Sequence, residues 1–190
     1  MEKIDFLYNG QWILSKMVSP TNNYKEGELK IPDLPDKTHK MAIKNQLPNG
    51  LEYRSYVLPG SKRDNKVHVL YHPKKQEVLA TLNTLRSEDD DKSGSIIHPH
   101  SITWSQVNPT YAGLGLGKQL YLATLIHNGN LSSDVTATSK ADNVWNDISK
   151  IPGIRTRLAP FKEGNVDRHR ASIQDASKLD HNNLFPKVDL

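Results

Sequence analysis

The sequence predicts an α/β fold of the α+β kind over residues 51–160, set between an N-terminal extension, residues 1–50, and a polar C-terminal arm, residues 161–190. Three observations predict it. Apolar runs bounded by Pro, Gly and Asn mark strands near residues 51–58, 66–71, 77–85 and 102–107. Leu116, Leu120, Ala123 and Ile126 then fall at three- and four-residue spacing, which gives a helix one apolar face. Hydrophobic residues are only 36% of a 190-residue chain, enough for one ordinary core with polar stretches left outside it.

In chain order, Asn9-Gly10 suggests a turn between two short strands, and residues 19–48, rich in Pro, Lys, Asn and Asp, read as a long loop or arm. Asn49-Gly50 turns into the domain. Pro59-Gly60 ends the first strand, and Pro73-Lys74-Lys75-Gln76 joins the next two as a hairpin. The acidic stretch 87–95 is a solvated connection. A helix over residues 115–127 ends at Asn128-Gly129-Asn130, because glycine readily takes the left-handed conformation that closes helices. A short strand at 132–137, a helix from Ser139 to Ser149 closed by Pro152-Gly153, and a last strand at 154–159 complete the domain. Residues 161–190 carry many charges and few apolar groups, so they are expected to form no core of their own.

Composition narrows the function classes. Without cysteine there is no disulfide, thiolate nucleophile or cysteine-ligated zinc. No basic and apolar leader opens the chain, and no window nears the roughly 18–20 apolar residues that span a bilayer. The expectation is a soluble, cytoplasmic protein, or one carried in a viral particle. A net charge of +4 suits anionic partners without identifying one, and ordinary solubility charge accounts for it.

The informative run is Val107-Asn108-Pro109-Thr110-Tyr111-Ala112-Gly113-Leu114-Gly115-Leu116-Gly117-Lys118-Gln119-Leu120-Tyr121. Three glycines at alternate positions follow a strand and open an amphipathic helix. Glycines let backbone approach a phosphate closely, and a helix start offers unpaired amides and the positive end of the helix dipole. Lys118 adds a charge in the first turn. The spacing fits neither the dinucleotide fingerprint G-x-G-x-x-G nor the Walker pattern.

This run resembles motif A of the GNAT acetyltransferase superfamily, V-x-P-x-x-R/Q-G-x-G-x-G/A, matched by Val107, Pro109, Gly113, Gly115, Gly117 and Leu120. The resemblance implies a GNAT-like mixed, mostly antiparallel central sheet with flanking helices. It also implies acetyl-CoA, or another acyl-CoA, as the cofactor. The Val107 strand would hydrogen-bond pantetheine, and the amides of Gly113, Leu114, Gly115, Leu116, Gly117 and Lys118 would hold the pyrophosphate. Downstream, Ala141-Asp142-Asn143-Val144-Trp145 stands where the family carries A-x-x-L/I-Y. Two positions depart from the pattern: Ala112 replaces the usual Arg or Gln, and Trp145 replaces a tyrosine that often protonates the leaving thiolate.

Acyl transfer to an amine also needs a base. Residues 96–106 contain no carboxylate, leaving His98 and His100, which flank Pro99, as the candidate catalytic residues. His68 and His72 lie on or beside the hairpin. His98 and His100 lack a third ligand nearby, so no metal is expected. The expected function is an acetyl-CoA-dependent N-acetyltransferase with an unknown amine acceptor. The alternative is a catalytically degenerate GNAT-like structural or docking protein in a larger, phage-like assembly, its arms lying on a protein partner or a second copy. Basic residues occur only as pairs in the core region, which argues against nucleic acid.

Overall fold

Strand pairing follows the alternation of the sequence in most places and departs from it in two. The computed structural model describes residues 7–8, 11–12, 40–57, 65–86, 100–133, 139–160 and 167–190. Strands β1 (Leu7–Tyr8) and β2 (Gln11–Trp12) pair antiparallel around the Asn9-Gly10 position. The main sheet takes β3 (Lys40–Gln46), β4 (Glu52–Val57), β5 (Lys66–His72), β6 (Glu77–Arg86), β7 (His100–Val107), β8 (Asn130–Ser132), β9 (Ile154–Pro160) and β10 (Asp167–Ile173). Their spatial order is β3-β4-β5-β6-β7-β8-β10-β9. Every neighbouring pair is antiparallel except β7 and β8, which run parallel.

Helix α1 (Leu116–Asn128) crosses one face of this sheet. Its Leu116, Leu120 and Leu125 join Tyr53, Leu70, Leu82 and Ile102 of the strands in one buried cluster. Each such leucine contributes about 2 kcal/mol by leaving water. Helix α2 (Ser139–Ile148) adds Trp145 and Ile148 to the same core. A short C-terminal helix, α3 (His181–Leu184), is capped by the Asp180 carboxylate, which accepts from the amides of Asn182 and Asn183.

The sheet runs past both expected domain boundaries. β3 lies before residue 51, inside the stretch assigned to the N-terminal extension. More consequentially, residues 167–190 are not an arm. β10 is inserted between β8 and β9 with a full ladder to β9, and Leu179, Leu184 and Phe185 enter the core. The sequence Asp-Arg-His-Arg-Ala-Ser-Ile hides this, because only Ala171 and Ile173 are apolar. β10 is held by backbone pairing on both edges rather than by an apolar stripe. The predicted strand at 132–137 begins at Asn130, and its residues from 134 onward lie outside the described residues.

Candidate functional site

The glycine turn is set rigidly on the sheet by the residues just before it. Asn108 is 0% exposed, and its amide donates to the Leu79 carbonyl at 2.8 Å. Its side-chain oxygen accepts from the Thr110 amide at 3.0 Å, and its side-chain nitrogen donates to Glu77 Oε1 at 3.1 Å. The Tyr111 hydroxyl donates to Glu77 Oε2 at 2.7 Å. That bond to a carboxylate, with partial burial, holds the Tyr111 phenol above its ordinary pKa. Asn108, Glu77 and Tyr111 thus fix the 3-10 turn Pro109–Tyr111 on β6. The one sequence signal for this anchor is an Asn directly before Pro, a capping residue by type.

Beyond Tyr111 the backbone turns through Gly113 (φ +85°) and Gly115 (φ +72°). L-residues rarely adopt that left-handed region, which explains glycine at both places. A Cβ built on either meets nothing within 4 Å, so the space over the turn is open. Gly117 differs: its Cβ would lie 3.3 Å from Val107 Cγ2, so it lets the helix start sit close on the end of β7. Gln119 is the first residue of α1 whose amide finds a backbone acceptor, the Gly115 carbonyl at 3.1 Å. Among the described residues, the amides of residues 113–118 have none. These amides, at the positive end of a 13-residue helix, suit an anion by geometry and dipole together.

Lys118 is not aimed freely at this site. Its ammonium pairs with Asp147 of α2 at 3.3 Å, and that hydrogen bond holds the Asp147 carboxyl below its usual range. The pair borders a cavity of about 450 Å³ that Lys150 and Lys178 also line. Ala112 brings no cation to the turn, which leaves the backbone amides as its donors.

Among the described residues, the edge of β7 beside the turn borders a wedge that narrows to Ser101 and Ser132. Parallel pairing of β7 with β8 is confined, among the described residues, to Ser101 opposite Ser132. Among the described residues, Ile102 and Trp104 to Val107 of β7 pair with β6 alone. Past Ser101 the other edge of β7 has no strand partner among the described residues, and a free edge is the kind an extended ligand can join. The helix side of this wedge holds a row of aromatic contacts. Tyr121 of α1 places its hydroxyl 3.1 Å from Ser105 Oγ of β7. Tyr121 meets Trp145 edge-on, with ring centroids 5.7 Å apart. Trp145 in turn stacks on His169 of β10 at 5.7 Å and 6°, and His169 Nε2 lies 3.4 Å from Asp142 Oδ1. Trp145 is 2% exposed, and its indole N–H has no acceptor among the described residues.

The sequence-predicted candidates separate in space. Val107, Gly113, Leu114, Gly115, Leu116, Gly117 and Lys118 form one contiguous turn. His100 sits at the other end of β7, half-buried beside the vertex of the wedge, with its amide donating to Asn130 Oδ1 at 3.1 Å. His98 lies outside the described residues. His68 is buried under α1 and bonds to Tyr53 OH at 2.7 Å and Thr84 Oγ1 at 2.8 Å. His72 accepts from the Lys75 amide in the hairpin turn. Neither belongs to the site. Tyr121 of α1 reaches the wedge through its contact with Ser105. No group of three His, Asp or Glu residues suited to a metal occurs among the described residues.

No protein-family model and no curated protein matches the chain. The solved structures that resemble it include the following three. One is a histone acetyltransferase HPA2 and related acetyltransferase from Corynebacterium glutamicum, at 12% identity and TM-score 0.38 over 58% of this chain. Another is the ribosomal-protein-S18-alanine N-acetyltransferase of Escherichia coli, at 17% and 0.36 over 62%. The third is a cAMP-binding acyltransferase from Mycobacterium smegmatis, at 13% and 0.41 over 73%. The chain spans 65%, 73% and 49% of those proteins respectively. On its own topology, with a mostly antiparallel sheet, one parallel pair between β7 and β8, two flanking helices and a glycine turn from β7 into α1, this chain has the GNAT-like fold.

Proposed function

We propose that the protein is an acyl-CoA-dependent N-acyltransferase, with acetyl-CoA as the donor that the motif resemblance implies. The observation that carries this reading is the run of amides at residues 113–118 that find no backbone acceptor among the described residues, with open space over Gly113 and Gly115, next to a β7 edge that has no described strand partner past Ser101. The amides bind the CoA pyrophosphate. The β7 edge up to Val107 pairs with the peptide-like pantetheine arm and lays it in the wedge. The bound thioester supplies an activated acyl carbon.

The residues around the wedge then have separate tasks. The amine nitrogen bonds to the acyl carbon as the carbon–sulfur bond breaks, so one proton must leave nitrogen and one must reach sulfur. Tyr121 is the donor to sulfur, aligned by Ser105. His100, with His98 beside it in sequence, is the base for the amine proton. The Trp145 N–H, buried without an acceptor, donates to an oxygen of the bound acyl-pantetheine, which removes the cost of leaving it unsatisfied.

The test is calorimetric titration with acetyl-CoA and CoA, followed by thiol release with a panel of amines. Binding that is lost in Gly115→Glu supports the site, and no binding at millimolar ligand sinks it. A second reading, a GNAT-like module without turnover, is favoured by Trp145 at the tyrosine position and by Ala112. It predicts CoA binding with no thiol release for any amine, and no change in Tyr121→Phe.

A further inference from the structure

Strand β9 closes one side of the main sheet, and among the described residues nothing pairs with its outer edge. The hydrogen bonds of β10 tell which β9 groups face outward. The Ser133 amide donates to the His169 carbonyl at 2.8 Å, and the Ile173 amide donates to the Gly129 carbonyl at 3.0 Å. The odd-numbered residues of β10 therefore turn their peptide groups towards β8. Arg168, Arg170 and Ser172 turn theirs towards β9, because peptide groups alternate across an antiparallel ladder. Their partners are Ala159, Arg157 and Arg155. What remains for the outer edge is the backbone of Thr156 and Leu158, whose amides and carbonyls find no backbone partner among the described residues.

The side chains along that edge divide between two faces. Leu158 is opposite His169, which stacks on Trp145 of α2, so Leu158 projects on the helix side. It is 60% exposed. Arg155 and Arg157 project to the other side. Both are exposed, and neither makes an ion pair or side-chain hydrogen bond among the described residues. These residues tell against a second copy as the partner. In an antiparallel ladder between two β9 strands, outward-facing residues must stand opposite outward-facing residues. Thr156 opposite Thr156 brings Arg155 against Arg157, and Thr156 opposite Leu158 brings Arg157 against Arg157. Leu158 opposite Leu158 brings in Pro160, which has no amide to donate. Like charges directly opposite destabilise a ladder, and unlike charges stabilise it.

We propose that the β9 edge is a docking site for an extended acidic segment of another protein, which adds to the sheet as one further strand. Run antiparallel, that segment reads apolar, acidic, any residue, acidic. Its apolar residue stands opposite Leu158 and its two acids opposite Arg157 and Arg155. Backbone bonds to Thr156 and Leu158 give the affinity, and the alternating side chains give the selection. This inference is independent of the acyltransferase reading.

Two capped hexapeptides, acetyl-TVEVET-amide and acetyl-TVKVKT-amide, share the strand pattern and differ only at the charged positions. Titrated into the full chain at low ionic strength, where exposed charges are least screened, the glutamate peptide should bind at least about tenfold more tightly, because both pairs change from like to unlike. Arg155→Glu/Arg157→Glu should reverse that preference. Amide hydrogen exchange followed by NMR locates the peptide. The Thr156 and Leu158 amides should exchange freely in the protein alone and slow at least about tenfold with the glutamate peptide bound, while those of Arg155 and Arg157 are slow throughout. No binding of the glutamate peptide at millimolar concentration, equal binding of the two peptides, or binding that leaves Thr156 and Leu158 exchanging freely overturns the proposal. Thr156 and Leu158 amides that are already slow in the protein alone also overturn it, since another part of the chain or a second copy would then cover the edge. Tighter binding of a short oligothymidylate than of the glutamate peptide overturns the acidic-protein assignment.

Discussion

Replacing Gly115 separates backbone strain from ligand access. Gly115 sits at φ +72°, ψ 8° as the N-cap of α1, where an L-residue costs about 1–2 kcal/mol. No atom lies within 4 Å of its Cβ position, so Gly115→Ala adds no clash and the strain is the whole stability cost. At about 2–4 °C per kcal/mol for a chain of this size, the melting temperature should fall by roughly 2–8 °C and folding should persist. Gly115→Asn should recover much of that loss, because asparagine tolerates the left-handed region. Its side chain nonetheless projects into the open space over the turn. Losing one amide–phosphate hydrogen bond, worth about 1.5–3 kcal/mol, weakens CoA by roughly ten- to a hundredfold. Thermal melts and calorimetry on the two variants measure both quantities. Gly115→Asn that melts like wild type and binds CoA like wild type would refute the placement of the phosphate at this turn.

Other substitutions probe the remaining links. Tyr121→Phe should lower kcat roughly a hundredfold, the low end of what a positioned proton donor contributes, with KM nearly unchanged; an unaltered kcat removes Tyr121 from the chemistry. His68 is 0% exposed, and burial first, then the charges of His127, Lys66 and His100, hold its pKa well below 6.5. The unfolded chain therefore binds a proton below about pH 6.5 that the folded chain does not, and stability falls with pH there by up to about 1.4 kcal/mol per unit. Denaturant melts from pH 7 to 5 should show that slope in wild type and a shallower one in His68→Gln; equal slopes would clear His68 of the effect. Gly153→Ala drives a Cβ into the Asp175 carbonyl oxygen in a left-handed backbone position, so it should destabilise by more than about 2 kcal/mol. A neutral result in chemical denaturation would mean the 175–178 turn is not fixed against Gly153. Truncation at residue 166 should unfold the domain rather than free an arm, because it removes β10 from within the sheet, and circular dichroism reports this directly.

Much of the site was written in local sequence. Val107, the three glycines and the Leu116–Leu120 spacing specify a strand, a turn that needs positive φ and an amphipathic helix, and these are short-range properties. The hairpin of β5 and β6 was legible for the same reason. Legibility ended where stability comes from partners distant in the chain. β3 and β10 carry too few alternating apolar residues to announce themselves. β10 is specified by the edges of β8 and β9, which only the closed sheet brings to it. Spacing along the chain says nothing of where the Tyr121 ring on α1 meets β7, a contact that only the packed helix and sheet create.

The sequence by itself determined that a glycine turn opens a helix after a strand, since φ preference and 3.6-residue periodicity are encoded within a few residues. Only the tertiary structure decided that Tyr121 of α1 meets Ser105 of β7, that Trp145 stacks on His169, and that β10 enters the sheet between β8 and β9. Those outcomes depend on register, and register is set jointly by every strand in the sheet.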